Sequence, residues 1–175
     1  MTPQTKLRED VLPDSPPTDL SRLYSEGIVA GFIGAATIAL WFLLLDAING
    51  RPFYTPSLLG TALFNRGAMP ASPESVPVSL DMTLMYTWVH FLAFCIIGGF
   101  ASRLLGLAEK NVNVGFGILL LFVVFEIGFI FAALVLAETV LEALAWPAVL
   151  VGNLLAAASM GGYFWRHHPN LVIRP

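Results

Sequence analysis

The chain has 175 residues, of which 57% are hydrophobic and 12% charged, and its mean hydropathy is +0.75. Soluble domains carry about 25% charged residues, so the charge here is too sparse to cover a soluble surface, and the same richness in apolar residues excludes extended disorder. The single cysteine, Cys95, excludes an intrachain disulfide framework and a cysteine-built metal cluster, and a net charge of −3 without a basic run leaves no footprint for nucleic acid.

The expected fold class is therefore an all-α integral membrane protein. Residues 1–26 read as a flexible cytoplasmic tail: eight charges of mixed sign, with Pro13, Pro16 and Pro17, entering a short helix at Thr18 or Asp19. No apolar run precedes residue 27 and no small-residue cleavage pattern follows it, so a cleaved signal peptide is not expected. Four apolar runs then reach the roughly 20 residues that a membrane-spanning helix needs. They cover about 27–48, 82–105, 114–137 and 146–165, and residues 167–175 form a C-terminal tail. Together they predict a four-transmembrane-helix bundle. The runs are continuous rather than alternating, which excludes a membrane β-barrel.

The connection between the first two spans is the unusual one. It opens with Gly50-Arg51-Pro52, then offers Thr55 as N-cap and Pro56 at the first helical position. Leu58, Leu59, Ala62 and Leu63 share one helical face, and Asn65 and Gly67 end the pattern. A helix this short cannot span, so it is expected to lie in the outer membrane interface with its leucines toward lipid. Pro70, Pro73 and Pro77 then predict an extended path to Asp81.

Lys and Arg placement sets the expected orientation. Lys6, Arg8, Arg22, Arg103, Lys110, Arg166 and Arg174 fall on the side of the termini, and Arg51 and Arg66 on the other. Both termini are thus expected in the cytoplasm, and the membrane is expected to be a bacterial inner membrane.

Three groups of residues are candidates for a role. Small residues four apart let helix backbones approach closely: Gly27, Gly31 and Ala35 on the first span, Gly152 and Ala156 with Gly161 on the fourth. They are read as internal packing, or as a seam for another subunit. Polar groups inside the spans are costly in hydrocarbon: His90, Glu126 and Asn153, with Thr87 on the His90 face. By depth they are expected to meet in the outer half of one bundle, with Glu126 hydrogen-bonded to His90 or Asn153. Third, Asp46, Glu74, Asp81, Glu138 and Glu142 gather at the outer connections, where they match no ion-binding loop and read as solvated charge.

No H-E-x-x-H, G-x-S-x-G or phosphate-binding glycine loop is present, and the chain is not read as an enzyme. The leading expectation is a non-catalytic accessory subunit of a larger membrane protein complex, bioenergetic in kind (respiratory or photosynthetic), with membrane lipids and other membrane subunits as partners. The rival is a small proton- or cation-conducting transporter or channel using Glu126 and His90. A third reading is a subunit that ligates haem or chlorophyll through His90 alone, since His167 and His168 lie about 20 Å from it along the span by helix rise. Neither metal nor other cofactor is expected.

Overall fold

The computed structural model describes residues 19–65, 72–110 and 146–168. They form four α-helices: α1 (Asp19–Ile48), α2 (Tyr54–Phe64), α3 (Leu80–Lys110) and α4 (Trp146–His167), with a 3-10 turn at Pro73–Ser75. No strand occurs among the described residues. Three of the helices, α1, α3 and α4, are long and apolar enough to cross a membrane. The expected third span, 114–137, lies outside the described residues, as do 1–18 of the N-terminal tail and 169–175 of the C-terminal one.

Helix α1 is a single 30-residue rod. The short helix expected near Asp19 and the first span are one element, because nothing between Asp19 and Gly27 breaks helical geometry. At 1.5 Å per residue it is about 45 Å long, against a hydrocarbon core of about 30 Å. It ends in a Schellman motif: the Arg51 N–H bonds the Asp46 carbonyl and the Gly50 N–H bonds that of Ala47. Gly50 takes φ 71° at the position that favours glycine.

Both other long helices pack on α1. The α1–α3 contact is made by backbone. A Cβ on Gly27 would lie 2.6 Å from the Gly99 Cα, and one on Gly31 would overlap the Phe94 carbonyl oxygen. A Cβ on Gly98 would overlap the Gly27 carbonyl oxygen. Ser102 adds a bond from its buried hydroxyl to the Leu23 carbonyl, at 2.7 Å. Residue numbers rise on α1 as they fall on α3, so the two helices are antiparallel.

The α1–α4 contact is stitched by polar groups at several levels. Trp41 donates from its indole to the Ala148 carbonyl at 2.8 Å, and Thr37 donates to the Ser159 hydroxyl at 3.3 Å. Gly152 and Ala156 are buried, and a Cβ on Gly152 would stand 3.0 Å from the Trp41 ring. This pair is also antiparallel. Ala30, Met160, Phe164 and Leu105 form the core toward the end that holds Asp19 and His167, named the inner end after the expected orientation, the end with α2 being named the outer one, and Phe94, Ile97, Ala101 and Tyr163 pack against it.

Of the small residues, Ala35 is fully buried on α1, while Gly161 is exposed and has no atom within 4 Å of where its Cβ would stand among the described residues. Substitution should separate these sites. Gly31→Leu is expected to destabilise the fold by about 3 kcal/mol or more, because backbone rather than a flexible side chain occupies the space. Gly161→Ala should stay within about 0.5 kcal/mol. Thermal unfolding of the detergent-solubilised protein measures both, and equal shifts would contradict the packing described.

Candidate functional site

Three polar assemblies lie along the bundle: one at the outer end, one in the middle and one at the inner end. The outer one is the most elaborate, and it is built from the segment Gly50-Arg51-Pro52-Phe53-Tyr54-Thr55-Pro56-Ser57.

Helix α2 begins at Tyr54, one residue before the expected cap. Thr55 does not cap it. Asp46, from the last turn of α1, does so from outside, accepting the Thr55 N–H at 2.7 Å on one oxygen and the Thr55 hydroxyl at 2.7 Å on the other. A carboxylate at a helix N-terminus meets unpaired N–H groups and the positive end of the helix dipole. Asp46 is 5% exposed, which corrects its expected place among solvated outer charges. Phe53, just ahead of α2, takes φ 66°, a left-handed conformation that costs a non-glycine residue about 1–2 kcal/mol. The surrounding bonds hold it there.

Arg51 joins the two ends of the outer connection. Its guanidinium donates to the Glu74 and Val76 carbonyls, both at 2.9 Å, and lies 4.0 Å above the centre of the Tyr54 ring. The Tyr54 hydroxyl donates to the Pro73 carbonyl at 2.8 Å. Burial raises the Tyr54 pKa above its usual 10, against the lowering influence of Arg51, so at neutral pH the hydroxyl keeps the proton it donates. The path after α2 includes the 3-10 turn before it extends, because Ser75 and Val76 fold back onto the carbonyls of Ser72 and Pro73.

Ser57 ties α2 to α3. It accepts the Ser79 N–H at 3.0 Å, donates to the Ser79 carbonyl at 3.1 Å and shares a 2.9 Å hydrogen bond with Thr83. A Cβ on Gly60 would overlap the Met82 carbonyl oxygen, so α2 touches the start of α3 with its backbone. Leu58 and Ala62 are buried with Val76. The leucine face therefore turns to protein at Leu58, and only Leu63 of the four apolar positions is exposed. Protein packing prevails over lipid there because Ser57, one residue earlier, is fixed to α3.

In the middle, Thr87 and His90 have partners on their own helix. Phe94 and Met160 both meet α1 at Gly34, so they are level. Asn153 and Thr87 lie seven residues before Met160 and Phe94 on parallel helices, so they too are level. His90 lies three residues beyond Thr87, about 4.5 Å further along the axis. Thr87 donates to the Thr83 carbonyl of its own helix at 2.7 Å. The His90 ring stacks on Tyr86, with centroids 5.7 Å apart, and meets Phe94 at 4.9 Å and Phe91 at 6.0 Å. Asn153 is half-buried on α4 beside Gly152. Glu126 lies outside the described residues, so its expected contact with His90 or Asn153 does too.

At the inner end, Glu26 and His168 are 7% and 6% exposed, with a carboxylate oxygen 3.2 Å from the His168 Nε2. Arg22 binds the other Glu26 oxygen at 2.8 Å. The sequence reading placed both in the terminal tails. Their pairing carries one signal in the sequence: each is an ionisable residue just outside an apolar run, and the two runs are antiparallel.

No group of three or more His, Cys, Asp or Glu side chains that could hold a metal ion occurs among the described residues. No protein-family model, curated protein or solved structure matches this chain.

The outer assembly makes the sharpest prediction. Asp46→Ala should cost about 2–4 kcal/mol, the range for losing a helix cap together with a hydrogen bond to a charged group. Hydrogen exchange should quicken at the amides of residues 54–64 while those in the middle of α1 stay protected. Unchanged exchange in α2 would remove Asp46 as its cap.

Proposed function

We propose that this chain is a non-catalytic accessory subunit of a larger membrane protein complex. The supporting observation is how its outer polar groups are used. Asp46, Arg51, Tyr54, Thr55 and Ser57 spend their hydrogen bonds on holding α2 against α1 and α3. The exposed side chains of the outer cap include large apolar ones, Phe53 just ahead of α2, Leu63 and Phe64 on it, and Val78 and Leu80 beside it, with Asn65, Glu74 and Asp81 exposed among them. A rigid element with exposed aromatic and aliphatic groups and consumed polar groups suits contact with another subunit better than chemistry on a substrate.

The ridge of α3 supports the same reading. Leu84, Trp88, Leu92, Ile96 and Phe100 recur every four residues and are all more than half exposed. Such a stripe suits lipid or the flank of a partner. The test is purification in mild detergent. The protein should elute in fixed stoichiometry with larger membrane subunits, and Phe64→Asp should release it without loss of helicity. Elution alone or as a homo-oligomer, unaffected by Phe64→Asp, would refute the proposal.

We further propose four spans with both termini cytoplasmic, in a bacterial inner membrane. Because α3 and α4 both run antiparallel to α1, Lys110 and Trp146 lie at opposite ends of the bundle. Residues 111–145 must return the chain over that length, and the apolar run 114–137 is long enough to do so in one crossing. Arg22, Arg103, Lys110 and Arg166 mark one end of the described bundle and Arg51 the other, as the positive-inside rule requires for a cytoplasmic inner end. Reporters fused at Met69 and after Pro175 should report opposite sides of the membrane. The same side for both would reject four spans.

A further inference from the structure

We infer that the groove between the inner halves of α1 and α3 is a binding site for an anionic phospholipid, its phosphate held by the Arg103 guanidinium and the Tyr24 hydroxyl. The inference rests on the membrane reading above and adds a ligand class and named contacts to it.

The groove starts at a recess lined by Leu23, Tyr24, Gly99 and Arg103. Two adjacent glycines on α3 behave differently there. Gly98 is pressed against the backbone of Gly27 and is needed for helix packing. Gly99 has no atom of the described residues within 4 Å of where its Cβ would stand. Nothing in the α1–α3 contact requires that side of Gly99 to be bare, yet its bareness deepens the recess beside Arg103.

Arg103 forms the head of the site. It is exposed at the inner end of α3, and one of its N–H groups donates to the Tyr24 hydroxyl at 3.1 Å. The ion pairs among the described residues are Arg22–Glu26 and His168–Glu26, both between α1 and its own or the α4 side, and neither involves Arg103. A guanidinium has five donors in a planar fork that matches phosphate. The Tyr24 bond orients that fork across the groove and uses one donor.

Toward the membrane centre the exposed α1 side chains beside this recess are apolar. Its α1 wall is Ile28 and Phe32, four and eight residues beyond Tyr24 and 53% and 58% exposed. Its α3 side continues through Cys95, whose Sγ lies 4.0 Å from the Ile28 carbonyl oxygen. The Phe32 and Phe91 rings, 4.9 Å apart, close the far end. From Tyr24 to Phe32 is about 12 Å along the axis, enough for the upper half of an acyl chain. A cationic head above an apolar trough is complementary to an anionic amphiphile. The end that carries Arg22, Arg103 and Arg166 is also where anionic headgroups attract basic side chains, by about 1 kcal/mol each.

Native mass spectrometry of the detergent-purified protein tests the site, with phosphatidylglycerol and phosphatidylcholine of identical chains as probes. The wild-type protein should retain phosphatidylglycerol about five- to tenfold better than phosphatidylcholine. Arg103→Gln should remove that preference, Arg103→Lys should keep most of it, and Gly99→Leu should weaken both lipids by filling the trough. Arg166→Gln, on α4, should change neither. Inorganic phosphate should not displace the lipid, because it lacks the chains that occupy the groove. Helicity and monodispersity of Arg103→Gln confirm that it folds. Equal retention of the two lipids by the wild-type protein, or an undiminished preference in Arg103→Gln, would overturn the site. Release of the chain from membranes by alkaline wash would overturn the membrane reading and the site with it, whereas a retained chain indifferent to phosphatidylglycerol would overturn the site alone.

Discussion

The close approach of α1 and α3 is the contact on which the described structure depends. Three of the helices are long and apolar enough to cross a membrane, and in lipid, whose tails are as apolar as leucine side chains, helix packing comes from surfaces that fit at short range. Gly27 and Gly31 on one helix and Gly98 on the other bring two backbones into direct contact. That contact fixes distance, direction and register together. Register then sets the Ser102 hydroxyl against the Leu23 carbonyl toward the inner end and, at the outer end, brings the start of α3 to where α2 can lie on it. Helix α4 takes another face of α1, where Trp41, Thr37 and Glu26 find partners at the outer end, the middle and the inner end.

A chain with few charges uses them economically. Asp46 and Arg51, five residues apart around the end of α1, organise the described parts of the outer connection, one by capping α2 and the other by clamping the carbonyls of Glu74 and Val76. The Thr55 N–H that Asp46 accepts is buried and would otherwise lack a hydrogen bond, a cost of about 1–3 kcal/mol. The Glu26–His168 pair acts similarly where α4 ends. A buried pair of this kind is weak support for stability in itself, since desolvation offsets much of its attraction. Its consequence is positional: it fixes the C-terminal end of α4 against the first turns of α1.

These arrangements leave an outer surface that is apolar by design of the interior. The polar side chains turn inward to stitch helices together, and the ridges of α1, α3 and α4 carry Phe, Leu, Ile and Trp outward. Relief from that pattern comes at the inner end, where Arg103 and Tyr24 stand over a groove that Gly99 leaves open. The contrast between Gly98 and Gly99 shows that neighbouring glycines can have unrelated causes, one enforced by a facing backbone and the other meeting none of the described residues.

The sequence by itself determined the helical class, the three helices long and apolar enough to cross a membrane and the existence of a short helix after Arg51. These are one-dimensional properties: length and continuity of apolar runs, and the turn residues that interrupt them. Gly27 and Gly31 were legible as packing residues because a four-residue spacing of small side chains marks a helix face whatever that face meets. Only the tertiary structure decided which partner each polar residue has. Asp46 read as a solvated charge and is a buried cap, Thr55 read as a cap and is the residue capped, and Gly161, read as packing, meets none of the described residues. The His90–Asn153 relation likewise depends on axial offset, with His90 about 4.5 Å beyond the level that Asn153 shares with Thr87. Pairings of this kind require the rotation and register of one helix against another. Those are set by the backbone contact at Gly27, Gly31 and Gly98, between residues some 70 positions apart, and no local pattern in the chain encodes them.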